Sequence, residues 1–192
     1  MTKIIQPPIL ETARLFLHPI RLDDAPSLQK HFNNWNVIKY LNDKVPWPYP
    51  DDGAYQFLKN NALPRMEAGK AMLWGIFPKE NQQAAIGLVE FRAEKTANDQ
   101  EDRGFWIAQA YWGQGLMSEA VNAVNDFIFF DYGRDKITLQ NYKMNIGSRR
   151  VKEKTGATFL HTKTENWRGE KREVEVWELT AENWKKFREE KL

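Results

Sequence analysis

Apolar positions along the chain alternate between two kinds of pattern. Short apolar runs bounded by polar or proline-containing segments read as strands: "RLFLHPI" (Arg14 to Ile20), "AMLWGIFP" (Ala71 to Pro78), "AAIGLVEF" (Ala84 to Phe91) and "GFWIA" (Gly104 to Ala108). The turn "PKENQQ" and the polar connection "RAEKTANDQEDR" join the last three into an antiparallel meander. "KITL" (Lys136 to Leu139) is a further strand, and "ATFLHTK" and "REVEVWEL" form a hairpin through "ENWRGEK". Helical periodicity fills the gaps. "RLDDAPSLQKHF" starts a helix with Asp23 or Asp24 as N-cap, and the aspartates of "VPWPYPDD" cap a second helix through Tyr55 and Leu58. A short helix from Ile146 to Thr155 has Asn145 as its cap and Gly156 as its terminator, and Thr180 to Leu192 closes the chain as a helix.

The longest periodic segment follows "YWGQG". Leu116, Met117, Ala120, Val121, Val124, Phe127 and Ile128 share one helical face, with Ser118, Glu119, Asn122, Asn125 and Asp126 opposite and Gly133 as the stop. Strand, glycine loop, helix and "KITL" together resemble one crossover unit. With no internal repeat, low-complexity tract or linker, residues 1–192 read as a single mixed α/β (α+β) domain.

Composition narrows the chemistry. The 192 residues are enough for one sizeable core, and 42% hydrophobic with 28% charged residues is ordinary for a soluble protein. The absence of cysteine excludes disulfides, thiolate metal sites and a cysteine nucleophile. A net charge of +2 gives no reason to expect direct nucleic-acid binding. The N-terminus has no secretory apolar core and no run is long enough to span a bilayer, so a cytoplasmic protein without a membrane partner is expected. His18, His31 and His161 are scattered, so no metal is expected. Eight tryptophans read as core and pocket lining, with exposed platforms for sugars or bases as the alternative.

Gly113 and Gly115 stand directly before a helix start, where unpaired N–H groups and the positive end of the helix dipole favour an anion. By itself the pattern also fits an ordinary turn. A P-loop is excluded, because Leu116 and Met117 stand where Lys and Ser or Thr are needed. The dinucleotide fingerprint is excluded by Ser118 at the third glycine position.

"YWGQGLMSEA", the apolar helix ending in "FDYG", "KITL" and "NIGSRRVKEKTGA" together resemble the GNAT superfamily of N-acetyltransferases, most nearly its Rim-type branch, which acts on protein N-termini. The second motif, N-x-x-S-x-x-V-x-E-K-x-G, is met by Asn145, Ser148, Val151, Glu153, Lys154 and Gly156. "ETARLFLHPI" resembles the family's opening strand with His18 in place of a common arginine, and "VPWPYPDD" its substrate-side loop. The resemblance implies a central mixed, mostly antiparallel, strongly twisted sheet flanked by helices. It also implies acetyl-CoA as co-substrate, with its pyrophosphate held by the loop Trp112, Gly113, Gln114, Gly115, Leu116, Met117 and Ser118. Met117 stands where a small residue is usual, so it either narrows the loop or points into the core.

By the same resemblance an amine attacks the thioester directly, which needs a base or water path, an oxyanion donor and an acid for the leaving thiolate. Ser148 matches the acid position, against a capping role with Asn145. Glu90 is the base candidate, against a solvent-facing strand residue, and Glu165 is a second candidate at the substrate side. Backbone around Trp106, Ile107 and Ala108 would meet the carbonyl oxygen and pantetheine. Asn145 would contact the cofactor, and Arg149 and Arg150 the adenosine phosphate, with solvent-exposed surface charge as the alternative for both arginines. Trp35, Trp47, Tyr49 and Trp167 are candidate pocket residues for a cationic acceptor, with core packing as the alternative. The expected function is acetyl transfer to a protein N-terminus or small-molecule amine by a monomer or homodimer. A non-catalytic acyl-CoA-binding module is the alternative.

Overall fold

The computed structural model describes residues 6–41, 43–94 and 101–190, the Trp167 side chain excepted. The middle of the polar connection expected at 92–103 and the last two residues of the expected C-terminal helix fall outside that description. In chain order the strands are β1 (Leu10–Glu11), β2 (Leu15–Pro19), β3 (Ala71–Pro78), β4 (Gly87–Arg92), β5 (Arg103–Ile107), β6 (Lys136–Tyr142), β7 (Thr158–Trp167) and β8 (Glu170–Thr180). The helices are α1 (Ala25–Phe32), α2 (Trp35–Ile38), α3 (Gly53–Phe57), α4 (Leu63–Glu67), α5 (Leu116–Asp126), α6 (Ile146–Glu153) and α7 (Ala181–Glu189). A π-helical turn joins α3 to α4, and another extends α5 through Phe127–Asp131. The short β1 and α2 carry too few residues to show a period and were not legible in the sequence.

β1 to β5 form one antiparallel sheet in chain order, and β6, β8 and β7 form a second, with β8 central. The architecture is the expected one: a mostly antiparallel sheet flanked by helices. The crossover differs from expectation, because β5 and β6 lie in separate sheets. They meet where the Asp102 amide donates to the Thr138 carbonyl (2.8 Å) and the Thr138 amide donates to the Asp102 carboxylate (2.7 Å). From that joint they run along opposite walls of one cavity, lined by Gly104 to Trp106 on one side and Gln140 to Tyr142 on the other.

β3 is buried along its whole length, and its alternation explains how. Met72, Trp74 and Ile76 pack with the apolar face of α5, while Ala71, Leu73 and Phe77 pack with α1, α3 and α4. Helices on both faces require a strand that is apolar on both, hence the continuous run "AMLWGIF". At the far end the hairpin is tighter than expected. Arg168 and Gly169 alone turn the chain, both at positive φ (53° and 76°), the geometry whose twist matches the flanking strands. The capping expectations divide. Asn145 caps α6 through Ser148 N, and Thr180 caps α7 through Asn183 N. The Asp24 carboxylate instead accepts from Arg21 N, and Asp52 from the Gln56 side chain, so neither caps the helix after it.

β4 approaches β5 closely at Gly87, which faces Ile107. A Cβ there would lie 2.5 Å from the Trp106 carbonyl oxygen, with backbone and not a yielding side chain in the way. Gly87→Ala is expected to destabilise the fold by about 1–3 kcal/mol through this overpacking, read as a lower urea midpoint with unchanged slope.

Candidate active site

The joint at Asp102 and Thr138 leaves one edge of β5 without a strand partner along the cavity. The antiparallel ladder decides which amides face it. Ala108 N donates to Ile86 O (2.8 Å) and Arg92 N to Asp102 O (2.8 Å), so even-numbered residues of β5 pair with β4. By the alternation of such ladders the N–H groups of Phe105 and Ile107 point to the open side. Of the three backbone candidates, Ile107 therefore offers its amide there, whereas Trp106 and Ala108 turn theirs to β4. The Ile107 carbonyl accepts from the Trp112 indole (2.9 Å), tying the glycine loop to the end of β5.

Gly113 and Gly115 both sit at φ 77°, a conformation that disfavours any side chain. A Cβ on Gly113 would meet nothing within 4 Å, so the loop is open on its outer side. Among the described residues no side chain caps α5, whose first-turn N–H groups open onto this loop. Gln114 is exposed and bonds Ala110 O, and Ser118 is half-buried on the first turn. Leu116 and Met117 are 7% and 8% exposed and belong to the core, so Met117 does not narrow the loop.

A clamp that sequence reasoning missed fixes this loop. Glu119 accepts from Thr12 Oγ1 (2.6 Å), Arg14 N (2.8 Å) and Arg14 Nε (2.7 Å), while Arg14 Nη1 reaches the Gln114 carbonyl (3.0 Å). Partial burial pushes the Glu119 carboxyl up, but the hydrogen bonds from Thr12 and Arg14 outweigh it and hold the group below its ordinary value. Both partners lie over 100 residues from Glu119, beyond the reach of local spacing.

Across the cavity, α6 presents Asn145 and Ser148. Asn145 Oδ1 accepts from Ser148 N (3.1 Å), but the Ser148 hydroxyl does not return the cap. It accepts from Lys152 Nζ at 2.9 Å. Lys152 is 1% exposed, and burial pushes its ammonium down to about 7, with Arg103 adding to the shift and Glu101 opposing it. The basic run "GSRRVKEK" is thus divided. Arg149 is engaged by the buried Glu175, which also accepts from Asn141, and so is not free for a phosphate. Arg150 remains exposed.

The cavity, about 1150 Å³, continues past Glu90, Tyr49 and Glu165. Glu90 is neither solvent-facing nor free: Arg65 meets one carboxylate oxygen (2.7 Å) and Arg92 the other (3.2 Å). Tyr49, Phe32 and Trp106 form an aromatic wall with ring centroids 5.0 and 4.7 Å apart, and burial pushes the Tyr49 phenol up to about 12, with Asp52 adding to the shift. Glu165 pairs with Lys163 (2.9 Å). Trp35 and Trp47 pack on each other at 5.2 Å, roughly two-fifths exposed, and are not among the residues lining the cavity. The Trp167 side chain lies outside the described set. Among the described residues no group of three His, Cys, Asp or Glu is placed to hold a metal, and no helix is long and apolar enough to cross a membrane.

With this geometry in hand, comparison with known proteins identifies a family. The family description "Acetyltransferase (GNAT) domain" matches residues 14–158. The uncharacterised N-acetyltransferase YoaA of Bacillus subtilis is 27% identical over 149 residues, 78% of this chain and 82% of that protein. The ribosomal-protein-S5-alanine acetyltransferase of Vibrio fischeri superposes with a TM-score of 0.77 at 17% identity, over 93% of this chain and 99% of that one. The spermidine N-acetyltransferase of Vibrio cholerae, solved with CoA and spermine, gives 0.72 at 19% identity, over 88% and 97%.

Glu119 supplies a test of the loop clamp. A carboxyl held below its ordinary value contributes stability that is present above the unfolded value and is lost as pH falls through the folded one. Glu119→Gln is expected to lower stability by about 1–2 kcal/mol at pH 7. In urea titrations the gap to the parent chain should shrink as pH falls toward 3.

Proposed function

The chain belongs to the GNAT acetyltransferase family, and on that premise we propose that it transfers the acetyl group of acetyl-CoA to a primary amine, on a protein N-terminus or a small molecule, by direct attack. The observation that carries this reading is the pairing of two open backbone sites: the uncapped start of α5 behind Gly113 and Gly115, and the free edge of β5 at Ile107. The first suits a pyrophosphate. The second suits an amide-containing chain laid along the strand like an added partner. These residues fit the co-substrate, which would supply an acetyl group activated as a thioester. Exposed Arg150 is available to its outer phosphate, and Asn145 lines the cavity.

Each remaining role falls to a group in the cavity. The Ile107 amide stands ready to donate to the carbonyl oxygen as it gains charge. The incoming amine must be neutral to attack, and an α-amine has a pKa of about 8 in water. Glu90, whose two oxygens keep lone pairs beyond those used by Arg65 and Arg92, orients that amine and receives its proton. Glu165 and the wall of Phe32, Tyr49 and Trp106 favour a cationic group arriving from the substrate side. Ser148 donates to the departing sulfur. With no cysteine in the chain, an acyl-cysteine intermediate has no residue to form on.

Calorimetry with acetyl-CoA should give binding in the micromolar range, and Gly115→Val should weaken it about tenfold or more by straining a position at φ 77° and crowding Arg14; undiminished affinity would place the cofactor elsewhere. A thiol-release assay over N-terminal ribosomal peptides, polyamines and other small amines should find at least one acceptor, and acetyl-CoA binding with no release on any of them would instead favour a CoA-binding module. Ser148→Ala should lower kcat about 10- to 100-fold and leave the calorimetric affinity unchanged.

A further inference from the structure

We infer that Lys152 is a positioning and proton-supplying residue behind Ser148, so that the leaving thiolate receives its proton through a Lys152–Ser148 pair. The inference rests on the reading of Ser148 given above. It starts from an arrangement of α6 that nothing in the motif requires, since Lys152 occupies an unspecified position between Val151 and Glu153. Helical side chains lean toward the N-terminus, so a residue four positions on reaches back over its predecessor. Lys152 Nζ accordingly sits 2.9 Å from Ser148 Oγ. Ser148 borders the cavity, while Lys152 is 1% exposed and lies behind it.

In its charged form Lys152 has three donors and no acceptor, which sets the direction of this hydrogen bond in the state that supplies the proton. Ser148 accepts from Lys152, and its own O–H is left free to point elsewhere. Among the described residues that O–H has no acceptor. A serine hydroxyl alone is a poor acid, and one that already accepts from an ammonium is a better one.

The step balances. As the C–S bond breaks, its electron pair goes to sulfur and the Ser148 O–H proton follows it. A Lys152 N–H proton moves to the Ser148 oxygen, leaving a neutral amine; after the thiol departs it is recharged back through the Ser148 hydroxyl by the proton that the attacking amine gave up to Glu90, so no net charge is left behind. The surroundings permit a neutral lysine. The Phe105 ring lies beneath Nζ (5.5 Å), and the charged groups facing it are Arg103 on β5 and Glu101 just before β5, with Arg92 of β4 beyond Glu101. α5 contributes the uncharged Asn125, bonded to Arg103. Burial pushes the Lys152 ammonium down to about 7 against the opposing pull of Glu101, with Arg103 adding to the shift, so its proton is available near neutral pH.

Lys152→Met keeps the volume and removes the donor. The expected result is a kcat at least tenfold lower, a KM for acetyl-CoA within about threefold of the parent, and loss of the alkaline limb of the kcat–pH profile. Wild-type kcat with the limb retained would overturn the inference. Ser148→Ala serves as the internal control. If it costs rate and Lys152→Met does not, only this inference fails; if it costs nothing, the reading of Ser148 fails first. In the protein without co-substrate, NMR of 13C-labelled lysines should show one ammonium titrating well below the others. A set in which every lysine stays protonated from pH 6 to 9 would remove the transfer step.

Discussion

The contact between Asp102 and Thr138 is the constraint on which the site depends. Two strands that pair at one point and then separate leave edge backbone groups outside a shared ladder, ordinarily an invitation to aggregation. Here the rows line a cavity, which makes the exposed backbone useful and protected at once. The joint is anchored from several sides: burial pushes the Asp102 carboxyl up, while the Thr138 amide, Arg134 and Arg92 pull the other way. Glu90, Asn145, Ser148 and Glu165 all line the gap that this joint opens.

The two ends of that gap are built differently. At the α5 end the groups open to the proposed pyrophosphate are backbone, and Glu119, Arg14 and Thr12 hold the loop that presents them. Backbone amides require no rotamer to be fixed when an anion arrives, which suits a site whose task is tight, uniform binding. At the α6 and β4 end the contacts are side chains, and nearly all are paired in advance. Arg65 and Arg92 hold Glu90, Glu175 holds Arg149, and Lys152 holds Ser148. Paired groups keep a defined direction, which a reacting centre needs more than affinity.

Behind α6 lies a group of polar side chains that a stability argument alone would not keep. Arg103, Lys152 and Asn125 are fully or nearly fully buried, and Arg103 Nε and Nη2 have no hydrogen-bond partner among the described residues. Burial pushes the Arg103 guanidinium down to about 10, with Glu101 opposing. Apolar residues of similar size at such positions are often as stable or more so. A buried cation next to a hydroxyl at the cavity wall is easier to understand as chemistry than as packing.

Residue pattern alone determined a good deal. The continuous apolar run of β3, the one-face pattern of α5 and the cap at Asn145 each depend on residues within a few positions of one another, and each was legible as such. The two glycines before α5 and the N-x-x-S motif were legible for the same reason, and together they pointed to the GNAT family. Tertiary structure decided the rest, because the deciding partners are far apart in sequence. The split between β5 and β6 depends on a pairing 36 residues apart, and the loop clamp on one of 105. Whether Met117 faced the loop or the core, which of Trp106, Ile107 and Ala108 turned its amide outward, and whether Arg149 or Arg150 stayed free could be fixed only by neighbours the chain brings in from elsewhere. Lys152 shows the limit most plainly: in sequence it is one charge in a basic run, and only burial makes it a different chemical group.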